Sequence, residues 1–191
     1  VPFSSARKFS AVTFDGAGTY FLGAPEFVLS SPTQRVSQAV KNFAEQGYRV
    51  LVLAHSNTAI LQEEKGWKLP SVRRAVSLIV IEDHIREDAP ETIRWFQEND
   101  VAVRLISGDN PVTTSEIARR VGVKNAEKFI SLEGLSEEQV AEAAKEYVVF
   151  GRVSPDQKAI LVKALKMQGK TVAMTGDGVN DILALKEADC S

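Results

Sequence analysis

From Glu82 to the end of the chain, short apolar runs of strand length alternate with amphipathic stretches of helical length. That alternation is the pattern of parallel strands joined by crossover helices, which cover the sheet on both faces. The spacing predicts helices over Ala89–Gln97, Val112–Val121, Ser136–Glu146, Pro155–Gln168 and Val179–Glu187. Between them it predicts strands over Val101–Ile106, Lys128–Ser131, Tyr147–Phe150 and Thr171–Met174. The expected fold is α/β, with a doubly wound parallel-sheet domain over 82–191.

Residues 1–81 read differently, as a smaller α+β portion with antiparallel strands. Lys8–Phe14 and Thr19–Leu22 flank Asp15-Gly16-Ala17-Gly18, a composition suited to a hairpin turn. Val36, Val40 and Phe43 recur at helical spacing within Thr33–Gln46, and Gly47 follows where a left-handed C-cap is expected. A strand is expected over Tyr48–Ala54, an irregular loop over His55–Pro70, and a strand over Ala75–Ile81.

Composition narrows the function. In a chain of 191 residues, 23 Lys plus Arg stand against 25 Asp plus Glu, so there is no chain-wide attraction to nucleic acid. The longest apolar runs, such as Val50–Ala54, fall far short of the roughly 18–20 residues that span a bilayer. A single cysteine, Cys190, excludes an internal disulfide framework and a cysteine-rich zinc site. The chain opens on Val1 and closes on Ser191 directly after a helical stretch, and is read as a piece of a longer protein.

In an open parallel sheet, ligands bind beyond the carboxyl ends of the strands. Three such turns carry chemistry. After Met174 comes Thr175-Gly176-Asp177-Gly178-Val179-Asn180-Asp181, with two carboxylates four residues apart around glycines that permit a sharp strand-to-helix turn. Magnesium takes one or two protein carboxylates and shares its remaining shell with water and phosphate, so Asp177 is the expected metal seat, with Asp181 nearby. Helix capping by Asp177 and Asn180 would need far fewer specified residues.

After Ile106, Ser107-Gly108-Asp109 offers a hydroxyl and backbone donors for an oxyanion, while Asn110 and Pro111 suit a helix start. After Phe150, Ser154 and Gln157 form a capping box that places Lys158 in the first helical turn. A cation there opposes the helix dipole unless an anion lies close by. Hydroxyl, ammonium and metal-binding carboxylate at neighbouring strand ends are the groups that phosphoryl transfer requires.

These motifs carry a resemblance. Thr175–Asp181 is similar to the hinge motif of P-type cation-transporting ATPases, members of the haloacid-dehalogenase-like superfamily. Ser107-Gly108-Asp109 resembles that family's second motif and Lys158 its third, while Glu82-Asp83-His84-Ile85-Arg86 resembles its domain-hinge segment. Upstream, Phe3-Ser4-Ser5-Ala6-Arg7-Lys8 and Gly23-Ala24-Pro25-Glu26 resemble the nucleotide-binding domain of the same pumps. The resemblance implies part of a nucleotide-binding domain over 1–81 and a phosphorylation domain over 82–191 that lacks its first strand. It also implies ATP and Mg2+ as cofactors. The partners it implies are the remainder of the same polypeptide and a cation carried by a membrane domain. That places the region on the cytoplasmic side of a membrane.

By the same resemblance Phe3 stacks on adenine, Lys8 and Gly23 line the nucleotide pocket, Arg49 reaches the phosphates and Arg86 meets the nucleotide near the hinge. Ser107, Gly108, Asp109 and Lys158 act on the transferring phosphoryl group, Asp177 holds magnesium, and Asn180 and Asp181 order the site. Leu22 stands where these pumps often have lysine, which implies weak ATP binding.

The family's nucleophilic aspartate belongs to an Asp-Lys-Thr-Gly-Thr segment that this chain does not contain. Asp15-Gly16-Ala17-Gly18-Thr19 copies it superficially, but a hairpin turn is the wrong place, and Ala17 stands where related phosphatases keep a general acid. Two readings with chemistry follow. One is a catalytically incomplete region of a pump; the other is a free-standing magnesium-dependent phosphatase with Asp15 as nucleophile. A third is a regulatory module that only binds nucleotide.

Overall fold

The computed structural model describes residues 1–4, 7–63, 66–82 and 84–191. Ser5, Ala6 and Asp83, which belong to motifs quoted above, lie outside the described residues, as do Glu64 and Lys65. The chain divides into two compact units, Val1–Asp83 and His84–Ser191.

The first unit is built on an antiparallel sheet in the order β1 (Phe9–Phe14), β2 (Gly18–Gly23), β3 (Arg49–Ser56), β6 (Arg74–Ile81). Alternation decides its faces: Phe9, Ala11, Phe21, Val52 and Ala54 are buried, while their neighbours Val12 and Leu22 are exposed. The short α1 (Pro25–Val28) and α2 (Gln34–Glu45) cover the buried face, α1 contributing Val28. Thr33 caps α2 by accepting from the Val36 amide.

The segment expected as irregular loop is different. β3 continues through Ser56, and a small hairpin follows, β4 (Leu61–Glu63) with β5 (Gly66–Lys68). Strands of three residues are too short to show a period, which is why the pattern missed them.

Gly23 pairs with Phe9 across the first two strands, and a β-carbon there would meet the Lys8 carbonyl oxygen and the Phe9 Cβ at 2.4 Å each. Neither neighbour is a flexible side-chain end. Gly23→Ala is expected to loosen the β1–β2 pair at a cost of about 1–3 kcal/mol. Amide hydrogen exchange in β1 and β2 checks it, and unchanged protection would contradict the close approach.

The second unit holds α3 (Ala89–Glu98), β7 (Leu105–Ile106), α4 (Pro111–Arg120), β8 (Phe129–Ser131), α5 (Glu137–Glu146), β9 (Val149–Gly151), α6 (Pro155–Met167), a 3-10 turn (Val179–Asp181) and α7 (Ile182–Glu187). Its strands are parallel, in the order β7-β9-β8. Adjacent residues of the central strand serve opposite layers. Val149 packs with Ala118 of α4 and with Val121 just beyond it, whereas Phe150 packs with Val140 of α5 and Leu161 of α6. Burial on both faces is what a doubly wound sheet needs.

Two expected strands come out short. Only Leu105 and Ile106 of Val101–Ile106 join a ladder, since the register opposes them to Val149 and Phe150 and, among the described residues, no strand pairs with 101–104. Thr171–Met174 forms no strand. It makes an isolated parallel bridge, Ala173 with Cys190, because a strand exists only where a neighbour completes its hydrogen bonds. The expected helix over Val179–Glu187 begins as the 3-10 turn instead.

Candidate functional site

The turns after β7 and β9 are laced together. Ser107 donates its amide to the Phe150 carbonyl (2.9 Å), and its own carbonyl accepts from the Val153 amide (3.0 Å). The Asp109 carbonyl accepts from the Arg152 amide (2.8 Å), and the Gly108 carbonyl accepts from Arg152 Nη1 (3.1 Å). Gly151 allows this approach, for a β-carbon there would lie 2.5 Å from the Pro111 backbone. Ser107 Oγ accepts from the Asp109 amide (3.1 Å), and Asn110 Oδ1 caps α4 through the Val112 amide (2.9 Å).

From β9 the chain passes to α6 through the expected capping box, with Ser154 and Gln157 each accepting from the other's amide. Lys158 therefore occupies the first turn of α6. The anion that this position calls for is supplied by the protein itself: Lys158 Nζ donates to Asp181 Oδ1 at 2.5 Å. Both side chains are largely shielded, at 12% and 11% exposure. The second oxygen of Asp181 accepts from the Gly178 amide (3.1 Å). The hydrogen bond from Lys158 holds the Asp181 carboxyl below the usual aspartate range, with the Gly178 amide adding to it against the effect of burial. A β-carbon on Gly176 would come within 2.8 Å of the Asp181 side chain, so this pairing depends on a bare backbone there.

Asp181 thus has both oxygens engaged, which leaves the exposed Asp177 as the carboxylate of this motif open to a cation. Among the described residues no cluster of three or more His, Cys, Asp or Glu could hold a metal. One carboxylate with water and phosphate oxygens fits magnesium, and does not fit an ion that demands a full protein cage. Asn180 is exposed on the 3-10 turn.

In the first unit, Lys8 and Gly23 meet through their backbones. The Ala24 amide donates to the Lys8 carbonyl (3.0 Å), and Lys8 takes a left-handed φ of 61° after donating its own amide to Ser4 O (2.8 Å). Phe3 is 64% exposed, its ring open to a flat partner. Arg49 opens β3 opposite Ile81, exposed at the strand's start. Arg86 belongs to the second unit, where its guanidinium donates to both oxygens of Asp88 (3.0 and 2.6 Å) and lowers the carboxyl's affinity for protons. Asp15 occupies the β1–β2 turn, where Ala17 donates back to Phe14 O (3.2 Å) and Gly16 and Gly18 are both left-handed. That is an antiparallel hairpin tip, unlike the strand-to-helix turns that follow β7 and β9.

Sequence reasoning missed two features. The Lys158–Asp181 pair had a signal, a lysine placed against a helix dipole. Arg152 had none, because a left-handed φ of 53° in a residue with a β-carbon is decided by its partners.

Comparison with known proteins gives the family and its relatives. A model of haloacid dehalogenase-like hydrolases matches residues 9–189. The whole chain is 47% identical to part of a probable cation-transporting ATPase of Streptococcus pneumoniae, covering 24% of it. It is 41% identical over 188 residues to the calcium-transporting ATPase CtpE of Mycobacterium tuberculosis, covering 98% of the chain and 23% of that protein. It is 32% identical over 207 residues to a putative cation-transporting ATPase of Methanocaldococcus jannaschii, where it covers 100% of the chain and 24% of the relative. The chain thus spans about a quarter of the length of these relatives. With its α/β fold and with nearly its whole length matched, this chain belongs to the haloacid dehalogenase-like hydrolase family.

Proposed function

We propose that this chain is the ATP-binding and phosphorylation region of an ATP-driven cation pump, working through an aspartyl phosphate whose aspartate lies elsewhere in the same polypeptide. The observations that support the reading are the lacing of the Ser107–Asp109 turn to the segment leading into α6, and the hold of Asp181 on Lys158 of α6 at 2.5 Å. The names of the relatives support the pump, and their greater length supports a larger polypeptide. In this reading residues 1–81 are part of the nucleotide-binding domain and 82–191 the phosphorylation domain without its first strand.

Two unsatisfied edges support the missing strand. Among the described residues β7 pairs with β9 alone, and Thr171–Met174 bonds to the chain's end at Asp189 and Cys190 without joining a ladder. A parallel strand paired with both would deliver its C-terminal residue to the end of the sheet where Ser107 and Lys158 lie.

In the proposed mechanism Phe3, Lys8, Gly23 and Arg49 bind ATP, and Arg86, in the hinge-like segment, meets the nucleotide. Ser107 Oγ and the Gly108 amide donate to the transferring phosphoryl group, Asp109 closes the turn beneath it, and Lys158 neutralises its growing charge. Asp181 orients Lys158, and Asn180 orders the same turn. Magnesium seated at Asp177 supplies charge neutralisation of the phosphate oxygens when bound. The pumped ion is contacted by membrane segments outside this chain. Among the described residues no helix is long and apolar enough to cross a membrane, and the proposed place of this region is the cytoplasmic face.

The longer polypeptide, given γ-labelled ATP and magnesium, is expected to form an acid-stable phosphoprotein that hydroxylamine cleaves. The 191-residue chain alone is expected to leave an aryl phosphate intact. Turnover of that substrate, abolished by Asp15→Asn, would replace the pump with the free-standing phosphatase.

A further inference from the structure

We infer that Arg152 is a positioning residue that aims the Ser107–Asp109 turn at the phosphoryl group; this rests on the phosphoryl reading of that turn. Three successive carbonyls of the turn face the segment after β9. Ser107 O receives the Val153 amide, Gly108 O receives Arg152 Nη1, and Asp109 O receives the Arg152 amide. No described peptide bond is cis, and in a trans peptide the N–H lies opposite the C=O. Fixing the Ser107 and Asp109 carbonyls toward Val153 and Arg152 therefore turns the Gly108 and Asn110 amides the other way, outward from this segment. The Asp109 amide between them is already satisfied by Ser107 Oγ. Two amide donors are thus left directed together, the arrangement that receives an oxyanion.

Arg152 contributes from both ends, and its backbone shows the strain of doing so. It holds a left-handed φ of 53°, a region that a residue with a β-carbon keeps only where its surroundings over-determine it. An ordinary φ would carry its amide away from the Asp109 carbonyl. Its guanidinium reaches back to the middle carbonyl of the turn, so main chain and side chain grip adjacent peptides. A planar guanidinium suits this double attachment better than a point charge does.

The test separates the side chain from the backbone. Arg152→Gly keeps the left-handed backbone and deletes the guanidinium; Arg152→Met keeps the apolar stem and serves if the glycine variant does not fold. Arg152→Lys restores a donor. Inorganic phosphate with magnesium is titrated into each chain while the amide resonances of Gly108 and Asn110 are followed by NMR, alongside thermal midpoints. Wild type is expected to shift at both amides, Gly and Met variants to bind phosphate about tenfold more weakly, and Lys to recover to within about threefold. Glycine or methionine variants that bind within about twofold of wild type would overturn the inference and leave the site reading intact, as would weakened melting with unchanged affinity. A wild-type chain whose Gly108 amide ignores phosphate would overturn the phosphoryl reading itself, and the inference with it.

Discussion

Lys158→Met, made in the longer polypeptide that carries this region, is expected to slow formation of the phosphorylated intermediate by about 10²–10³-fold, the effect of removing one preorganised donor from a site of developing charge. The methionine keeps the stem and the fit of α6 while deleting the ammonium that now sits on Asp181. Single-turnover labelling with γ-labelled ATP reads the rate directly. Affinity for ATP is expected to change little, because the proposed nucleotide contacts at Phe3, Lys8, Gly23 and Arg49 are untouched. Labelling at the wild-type rate would mean that Lys158 serves only to neutralise Asp181, and the proposed mechanism would fail at its centre.

Asp181→Ala tests the other half of the pair, this time in the 191-residue chain. It strands the shielded Lys158 ammonium and leaves the Gly178 amide without its carboxylate acceptor. The expected loss is roughly 2–4 kcal/mol at neutral pH, near the low end for breaking a desolvated ion pair. Urea unfolding followed by a probe in the second unit, such as Trp95, reads it. The pH dependence has a definite sign. Because Lys158 and the Gly178 amide lower the folded-state pKa of Asp181, the stabilisation is present above the unfolded aspartate value, about 3.9. It is lost as pH falls through the lower folded value. Wild type and variant should therefore converge in stability below about pH 4, and parallel curves across that range would show that the ion pair stabilises nothing.

Helices, caps and turns were legible because their causes are local. Asn110 with Pro111, and Ser154 with Gln157, announce the starts of α4 and α6, and both caps form as expected. The hairpin around Asp15 follows from its glycines, both left-handed in the structure. Strand extent was not legible, since a ladder needs a partner and sequence periodicity does not report one. Val101–Val103 and Thr171–Met174 are as apolar as many strands, yet the first has no strand beside it and the second has a single bridge. The β4–β5 hairpin was missed for the opposite reason, being paired but too short to show a pattern.

At the candidate site, Ser107, Lys158 and the Thr175–Asp181 turn were chosen from sequence on the expectation that strand-to-helix turns of a parallel sheet all open on one end. That inference needs only the order of elements and the chemistry of the side chains. Which groups touch was a different matter. Asp181, not Asp177, takes the lysine, because the bare backbone of Gly176 and the Gly178 amide together make room for its carboxylate and bind it. Arg152 takes its left-handed turn only because carbonyls of a segment some forty residues earlier are there to meet it. Local chemistry acts over a few residues and is written in their order. Contacts across the sheet depend on distances that exist only once both turns have been brought together, so tertiary packing alone decided them.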